Sequence, residues 1–510
     1  MANSGDANGA QDSTSSPEAA FAPFLVSAPG KLIVFGEHAV VYGKSAMAAS
    51  ISLRSYIHVT PTEQSSPPTV TLHFVDISLN HSWSISSLPW TIFSNARASA
   101  AVEPPTSLDT DLLASLTPHV ASISPDIPAD KRKIHQQAAT TFLYLYLLLA
   151  TEHTPPATYT LRSTIPIGAG LGSSASISVC LATAMLLLPN TPGAGSQSSA
   201  HLAPPPSHDL SELPDTDAQS TLDRINALAF LGESVIHGTP SGLDNTVATL
   251  GKAVIFKRSS IPGQPSTITS IRRFPELPLL IVDTKQAKST AAEVAKVRVL
   301  RDAQPAVVNC ILDSINAITE SARLLLQQED EYDLLGQTPQ KSTAGNTDTA
   351  EHLASLVRIN HGLLSALGVS HPRLEQLRTI VDAAQIGAFK LTGAGGGGCG
   401  FVLLRPEFKD AVTSGVADIH DAGAGSPASV LHRAEREIDA AGMERWTWNG
   451  KNSLLLRERL DLLRWWSVGG SGDTGGLSIQ AYRDVRHFAY YHTPKVIIAL
   501  SPKFHDLITK

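Results

Sequence analysis

The sequence contains few cysteines, no long apolar run and no excess of basic residues, and each absence argues against a class of protein. Its three cysteines, Cys180, Cys310 and Cys399, are far apart and lack the spacing of disulfide or metal sites, which is typical of free thiols in a reducing compartment. The formal net charge of -7 provides no general basic surface for nucleic acid, although one local anion site stays possible. We therefore expect a cytoplasmic protein without a nucleic-acid partner.

Membrane and targeting segments are not indicated either. The apolar runs at 142–150 and 179–188 fall well short of the ~20 residues that cross a bilayer, and they predict buried helices. Residues 1–20 have no apolar core and no arginine, which argues against a secretory or mitochondrial signal. With 510 residues, 42% of them hydrophobic and 17% charged, the chain is typical of a soluble enzyme of two or three domains with no membrane partner.

Three glycine-rich segments stand out against this composition. They occupy residues 28–44, 168–174 and 393–400. The first places Lys31, Glu37 and His38 in a glycine-punctuated turn after an apolar lead-in, and buried charge beside bare backbone is costly unless a charged ligand compensates it. Three such turns indicate one phosphate-binding site assembled from distant parts of the chain.

The first of these turns ends in Gly-Lys-Ser, but it is not a P-loop. That motif has four residues between its two glycines, whereas six residues separate Gly36 from Gly43. The backbone would form a cradle of the wrong size, so a Walker-type nucleotide hydrolase is excluded.

The second turn lies between a predicted strand around 159–163 and a predicted apolar helix that runs to about 188. Glycines let the backbone approach a ligand closely. The unpaired N–H groups at the start of the helix, with the positive end of its dipole behind them, favour an anion. Ser173 and Ser174 add hydroxyls for a phosphate or a magnesium ion. A purely structural glycine turn is the alternative.

Glu233 lies on a predicted helix at 222–236, on the face that Ala229 and Ile236 occupy. An inward-facing carboxylate needs a cation. Magnesium takes few protein oxygens together with substrate phosphates, so Glu233 and Ser174 with a nucleotide would suffice. The alternative is an ordinary salt-bridged helix glutamate.

Asp244 follows in a turn that contains glycine and proline. Beside a substrate hydroxyl this carboxylate could accept the proton, and Lys31 nearby would favour the developing alkoxide. Ordinary turn chemistry for Asp244 and a surface position for Lys31 are the alternatives. The third glycine segment lies between two apolar strands, which argues against a flexible linker, and Cys399 within it is most simply a small buried residue.

Together these segments resemble the GHMP kinase superfamily and, within it, the mevalonate kinase family. The resemblance covers about residues 24–445 and rests on APGKLIVFGEHAVVYGKSA, PIGAGLGSSASISVCLA, GESVIHGTPSGLDN, NHGLLSALGVSHPRL and KLTGAGGGGCGFVLL. It implies a two-domain α+β fold, N-terminal ribosomal protein S5 domain 2-like and C-terminal ferredoxin-like, with ATP and mevalonate between the domains. The implied reaction is ATP- and magnesium-dependent phosphorylation of mevalonate to 5-phosphomevalonate, on the route to isoprenoids and sterols.

The resemblance also implies a role for each residue that matches the family's motifs. Asp244 would be the catalytic base. Lys31 would also be catalytic, because it would position the substrate and lower the pKa of its hydroxyl, and it would bind the nucleotide as well. Ser174 and Glu233 would hold magnesium. The ATP phosphates would be wrapped by Gly168, Ala169, Gly170, Leu171, Gly172, Ser173 and Ser174, with Ser163 at the edge of the nucleotide. The mevalonate pocket would be lined by Glu37, His38, Ile236 and Asp244.

The expected organisation has four parts. These are a disordered tail (1–21), an N-terminal GHMP domain (22–266) with inserts at 84–130 and 189–220, a C-terminal GHMP domain (275–448) and an atypical extension (449–510). The insert at 84–130, rich in Ser and Pro, is predicted to be irregular. Lys288 stands where the family often has an arginine before a Ser/Thr pair, and a homodimer is expected by analogy with the family.

Two other functions stay open from the sequence. Another GHMP kinase could act on a different small alcohol such as galactose, although the Glu-His-Ala-Val-Val-Tyr segment at 37–42 resembles the mevalonate branch. A catalytically inactive relative could bind nucleotide as a sensor or scaffold, but the chain keeps Lys31, Glu233 and Asp244.

Overall fold

The computed structural model describes most of the chain. The described residues are 23–62, 67–188, 215–238, 240–259, 266–271, 277–327, 343–409, 425–447 and 497–500, with positions 21, 274 and 411. The predicted tail at 1–21 lies outside them except for Phe21. The insert at 189–220 and the extension at 449–510 are described only at 215–220 and 497–500.

Runs of strands and runs of helices follow one another along the described chain. The strands are β1 (Phe24–Phe35), β2 (Ser45–Pro61), β3 (Thr69–Phe74), β4 (Leu79–Ser84), β5 (Ala157–Ser163), β6 (Ala253–Lys257), β7 (Thr267–Ile271), β8 (Leu279–Asp283), β9 (Gly387–Leu391), β10 (Cys399–Leu404), β11 (Glu444–Thr447) and β12 (Ile497–Leu500). The helices are α1 (Ser94–Val102), α2 (Thr110–Ser115), α3 (Thr117–Val120), α4 (Ala129–Leu149), α5 (Ser173–Leu186), α6 (Asp215–His237), α7 (Leu243–Leu250), α8 (Thr290–Ala303), α9 (Pro305–Gln327), α10 (Thr343–Ala366), α11 (Pro372–Ala384) and α12 (Pro427–Ala440).

The first sheet is built around the long antiparallel pair β1 and β2, which runs from Phe24 opposite Val59 to Phe35 opposite Met47. Its strand order is β12-β1-β2-β5-β3-β4, with β6 also paired to β2 and β7 to β6. Alternate residues of β3 are buried, the pattern of a strand with one face on a core. Helices α4 and α5 cover that face, and α4 contributes the buried Phe142 to the core.

The region 84–130 is not irregular as predicted, because it folds into α1, α2 and α3. Its apolar residues are the reason. Trp90, Phe93, Leu112 and Leu116 are buried in the core of the first sheet, and Asp109 caps α2 by accepting from the N–H groups at the helix start. The serines and prolines between these apolar residues made the segment look irregular in the sequence. The helices are stabilised by apolar contacts with residues that are distant in sequence.

The second sheet has the order β11-β8-β10-β9, and all of its pairs are antiparallel. The helices predicted near 290–300, 305–327 and 350–367 correspond to α8, α9 and α10. Regular apolar spacing along α9 buries Val308, Leu312 and Ile315 together with β8 and β10 residues. Two separate sheets, each covered by helices, confirm the expected α+β architecture with two parts.

The two halves share apolar cores. One core joins Leu32 and Met47 of the first sheet with Ile281 and Phe401 of the second. In addition, Ala39 of the first glycine turn is fully buried in the core of the second half. The turn at residues 36–43 is therefore held between both halves.

The end of the chain contributes one described element. Strand β12 adds to the edge of the first sheet, with Phe24 opposite Leu500 and Ser27 opposite Ile497; the sequence provided no indication of this pairing. Among the described residues, no helix combines the length and the apolar character that crossing a membrane requires.

Candidate active site

Lys31 and Asp244 meet at the centre of the candidate site. The Lys31 Nζ atom lies 3.2 Å from Asp244 Oδ2, and the two side chains are 10% and 32% exposed. Lys31 lies just after an irregularity in β1, and its backbone N–H donates to the carbonyl of Leu171 at 2.9 Å. Asp244 lies in the first turn of α7, after Gly242 in a left-handed conformation. One side chain from each of the motifs at 28–31 and 238–245 thus takes part in a single ion pair.

The second glycine turn packs directly on Lys31. Gly172, at φ +76°, precedes α5, and a Cβ there would lie 2.8 Å from Lys31 Cγ. Glycine is therefore needed for both the conformation and the close approach. Since α5 begins at Ser173, its first N–H groups have no partner within the helix and lie at this turn. Anions bind at such helix starts.

Glu233 completes this side of the site from α6. It is 3% exposed, and its Oε1 atom is buried without a hydrogen-bond partner. Burial first, and then the nearby Asp244 carboxylate, raise the pKa of Glu233 to about 7, while the Ser174 hydroxyl and Lys31 oppose the shift. A buried carboxylate oxygen without a partner, beside a second carboxylate, is chemically suited to a cation.

Ser174 has a second neighbour that the sequence motifs did not single out. Its Oγ atom lies 3.1 Å from Nε2 of His237, the last residue of α6. The His237 imidazole and the Glu233 carboxyl group both interact with the Ser174 hydroxyl. Together they fix its orientation. Ile236 lies half-buried between these two residues on the same helix.

Lys288 brings the third glycine segment into the site. The distance from the Lys288 Nζ atom to the point where a Cβ would lie, if the glycine carried one, is 3.0 Å at position 170, 3.5 Å at 393 and 2.9 Å at 398. Burial and the neighbouring Lys31 lower the pKa of Lys288, while Asp283 and Glu293 oppose this. The Lys288 ammonium therefore lies where the second and third glycine turns meet.

Glu37 and His38 lie where the first turn meets the third. The Glu37 carboxylate is buried against Lys390 and accepts a hydrogen bond from Asn360 Nδ2 at 3.2 Å. His38 Nε2 donates to the carbonyl of Ala394 at 2.9 Å. Burial lowers the pKa of His38, so its imidazole is neutral near pH 7. All three glycine segments thus converge on one region.

Ser163 lies at the end of β5, just before the second turn. Its hydroxyl lies 3.0 Å from Ser55 Oγ and accepts from the N–H of Ile165 at 3.2 Å. Its own N–H donates to Asp76 at 2.6 Å. These bonds fix the point where the strand turns into the glycine segment.

Comparisons with known proteins agree with this arrangement. The model of the GHMP kinases N terminal domain matches residues 136–203, and that of the GHMP kinases C terminal domain matches 348–417. The mevalonate kinase of Aspergillus fumigatus is 50% identical over 397 residues, which are 77% of this chain and 69% of that protein. The chain belongs to the mevalonate kinase family. It is therefore a kinase, as the resemblance implied.

Other members of the mevalonate kinase family match over nearly their whole length. The human mevalonate kinase is 34% identical over 420 residues, covering 80% of this chain and 95% of that protein. The crystal structure of the Methanococcus jannaschii mevalonate kinase has a TM-score of 0.51 at 22% identity and covers 83% of this chain and 96% of its own. At that identity the structural likeness establishes the fold alone.

In this member of the mevalonate kinase family, the sequence did not identify Lys390, Asn360 and His237 as residues of the site. It also did not predict what Lys288 contacts. Lys390 lies two residues before Thr392, inside a quoted motif, so a lysine in an apolar strand was an available signal. Asn360 and His237 also lie inside family motifs, at 360–374 and 232–245, but neither segment identifies the partner, because Glu37 and Ser174 are distant in sequence.

Proposed function

We propose that this chain transfers the terminal phosphoryl group of ATP to the hydroxyl of mevalonate. The observation that carries the proposal is the 3.2 Å ion pair of Lys31 and Asp244, which lies against the helix-capping glycine turn through the Lys31–Leu171 hydrogen bond. A carboxylate that can accept a hydroxyl proton, a cation and an anion-binding helix start are the parts that phosphoryl transfer to an alcohol needs.

The nucleotide phosphates are placed along the turn from Gly168 to Ser174, with Ser163 at the nucleotide's edge. The first N–H groups of α5 lie at this turn. The Lys288 ammonium approaches the turn at position 170, and the Lys31 side chain packs on it at position 172. Fixed donors and cations stabilise the charge that develops on the transferred group without reorganising during the reaction. Catalysis on this chain is thus mainly positioning and electrostatics.

Magnesium fits the residues present. Glu233 Oε1 is buried and unpartnered, and the Ser174 hydroxyl interacts with the same carboxyl group. Within the described part of the chain, no three His, Cys, Asp or Glu side chains form a closed metal site, which suits an ion that shares its coordination with substrate phosphates. When bound, the ion would supply charge neutralisation at those phosphates.

Asp244 is proposed to orient the mevalonate hydroxyl and accept its proton, with Lys31 stabilising the developing alkoxide. Partial exposure of the Asp244 side chain leaves room for a substrate there. The pocket walls are assigned to Ile236 on α6 and to Glu37 and His38 on the first turn.

The remaining expectations belong to the same proposal. We propose domain boundaries at 22–266 and 275–448 and a homodimer by analogy with the family. A cytoplasmic location is proposed from the spacing of the three cysteines. Sedimentation of the purified chain measures its oligomeric state, and a monomer would contradict the proposed dimer.

The proposal is tested with the purified full-length chain, ATP and magnesium against mevalonate, galactose and other small alcohols. Release of ADP and the mass of the product are measured together. We expect phosphorylation of mevalonate and no comparable reaction of galactose. A preference for another alcohol would identify a different GHMP kinase, and nucleotide binding without turnover would identify an inactive relative.

A further inference from the structure

The ion pair of Glu37 and Lys390 is the most deeply buried one in the described residues. The Lys390 side chain is 0% exposed and the Glu37 side chain 1%. One Glu37 oxygen meets the Lys390 ammonium, and the other accepts from Asn360 Nδ2 at 3.2 Å. Both oxygens are therefore occupied by protein groups that a substrate does not reach.

This pair joins the two halves of the molecule. Glu37 lies in the turn after β1, whereas Lys390 lies near the end of β9 and Asn360 in α10. The Lys390 ammonium lies 5.8 Å from the ring centre of Phe35 and 5.3 Å from that of Phe401, one ring from each sheet. Burial raises the pKa of Glu37 and lowers that of Lys390, and the attraction between them opposes both shifts.

The next residue, His38, is held in an unfavourable conformation. Its φ of +59° is uncommon for residues other than glycine and costs energy that the surroundings must offset. The Glu37 contact anchors its N-terminal side. The buried Ala39 anchors the other side, and Ala394 receives its imidazole N–H at 2.9 Å. His38 thus contacts the third glycine turn from a strained backbone position between two buried residues, Glu37 and Ala39.

We propose that the Glu37–Lys390 pair, completed by Asn360, is a positioning device that holds His38 and the turn 36–43 against the third glycine turn. The inference rests on the proposed function, because this turn forms one wall of the mevalonate pocket. Glu37 then contributes to this wall by fixing the geometry of His38, because its carboxylate oxygens are bound by Lys390 and Asn360.

Stability alone does not explain a charged pair at this position. A buried ion pair is often no more stabilising than apolar residues of similar volume, whereas removal of one partner leaves an uncompensated buried charge. What the charges add is direction, since the carboxylate of Glu37 must face both Lys390 and Asn360. The two roles therefore predict different results when both charges are replaced by neutral side chains. If the pair serves stability alone, stability and activity both return; if it fixes geometry, only stability returns.

The test compares Lys390→Met with the double variant Glu37→Gln/Lys390→Met in the full-length chain. Lys390 cannot touch substrate, so its effect must pass through Glu37. We expect Lys390→Met to lower the Tm and the double variant to regain much of it. Both are expected to keep a raised KM for mevalonate, with kcat/KM reduced about 10- to 100-fold as for small misplacements of a binding group, while KM for ATP changes little.

Hydrogen exchange supplies a readout that does not depend on activity. The N–H groups of Ala39, Val40, Val41 and Gly43 are hydrogen-bonded within the turn, and we expect faster exchange there in both variants. The control is Asp313→Asn, which breaks the exposed pair between Asp313 of α9 and Lys44, the residue directly after the turn, and should leave KM and exchange unchanged.

A double variant that regains both Tm and the KM for mevalonate would show that the pair serves stability alone and would overturn the inference. Unchanged exchange at 39–43 in Lys390→Met would overturn it as well. Failure of the wild-type chain to phosphorylate mevalonate is a different result. It refutes the proposed function, while the exchange data still decide whether the pair positions the turn.

Discussion

The ammonium of Lys31 lies 3.2 Å from a carboxylate oxygen of Asp244, although the two residues come from a strand near the start of the chain and a helix more than two hundred positions later. The contact exists because the turn before α5 packs on Lys31, and α7 packs on α5 and β1. A cation and a potential base are thereby placed next to an anion-binding helix start.

Neutralising Glu233 should change how stability depends on pH in metal-free protein. The pKa of Glu233 is raised from 4.5 to about 7, so between these values the folded chain holds a proton that the unfolded chain has released. The free energy of unfolding should therefore fall as pH rises through this window, by about 3 kcal/mol in total. In Glu233→Gln this loss should disappear.

The comparison must be made between the two proteins at each pH, in the presence of a chelator. Burial lowers the pKa of His58 to about 4, and that group contributes in the opposite direction, with stability lost as pH falls below its unfolded value near 6.5. Subtracting the variant from the wild type by chemical denaturation removes this term. A difference that stays constant from about pH 5 to 8 would contradict the assigned pKa.

Gly172→Ala should damage both stability and turnover. The added Cβ would lie 2.8 Å from Lys31 Cγ, at a φ of +76°, so the variant combines backbone strain with displacement of Lys31. We expect a loss of about 2–3 kcal/mol and a marked fall in kcat. Gly368→Ala is the matched control, because Gly368 has a φ of +74° with nothing within 4 Å of its Cβ position. Equal effects of both variants would show that the contact with Lys31 is unimportant.

Lys288→Met should weaken use of ATP. Its ammonium lies between the second and third glycine turns, where a phosphate chain would need positive charge. We expect kcat/KM for ATP to fall about 100- to 1,000-fold, the range for losing one preorganised donor to a developing charge, and Lys288→Arg to retain part of the activity. Lys133→Met, on the exposed side of α4, controls for loss of a lysine. Wild-type kinetics in Lys288→Met would remove Lys288 from the site.

Much of the site could be predicted because its parts are local motifs. Lys31, Ser174, Glu233 and Asp244 each lie in a short segment whose residue types already indicate chemistry, and the fold brings these segments together. The sequence could not predict which groups pair across the halves. Lys390 was predicted only as part of a strand, because its partner Glu37 comes from the other end of the chain.

The fold was predictable where periodicity was regular and not where contacts are long-range. Helix α9 shows apolar residues at helical spacing, and it was predicted with its observed bounds. The helices α1 to α3 in the region 84–130 were missed, because single anchors such as Trp90 and Leu116 define their burial and not a continuous pattern. Strand β12 was missed because edge pairing depends on the strand already present, β1.

The central claim is that Lys31 and Asp244 act together on the transferred phosphoryl group and the substrate hydroxyl. Its most direct test is the kcat for mevalonate of Asp244→Ala and Lys31→Met, measured together with ATP binding by calorimetry. The account predicts that kcat falls by about 10²–10⁴-fold in Asp244→Ala, that Lys31→Met is similarly impaired, and that both variants still bind ATP. Near-normal turnover in both variants would contradict it.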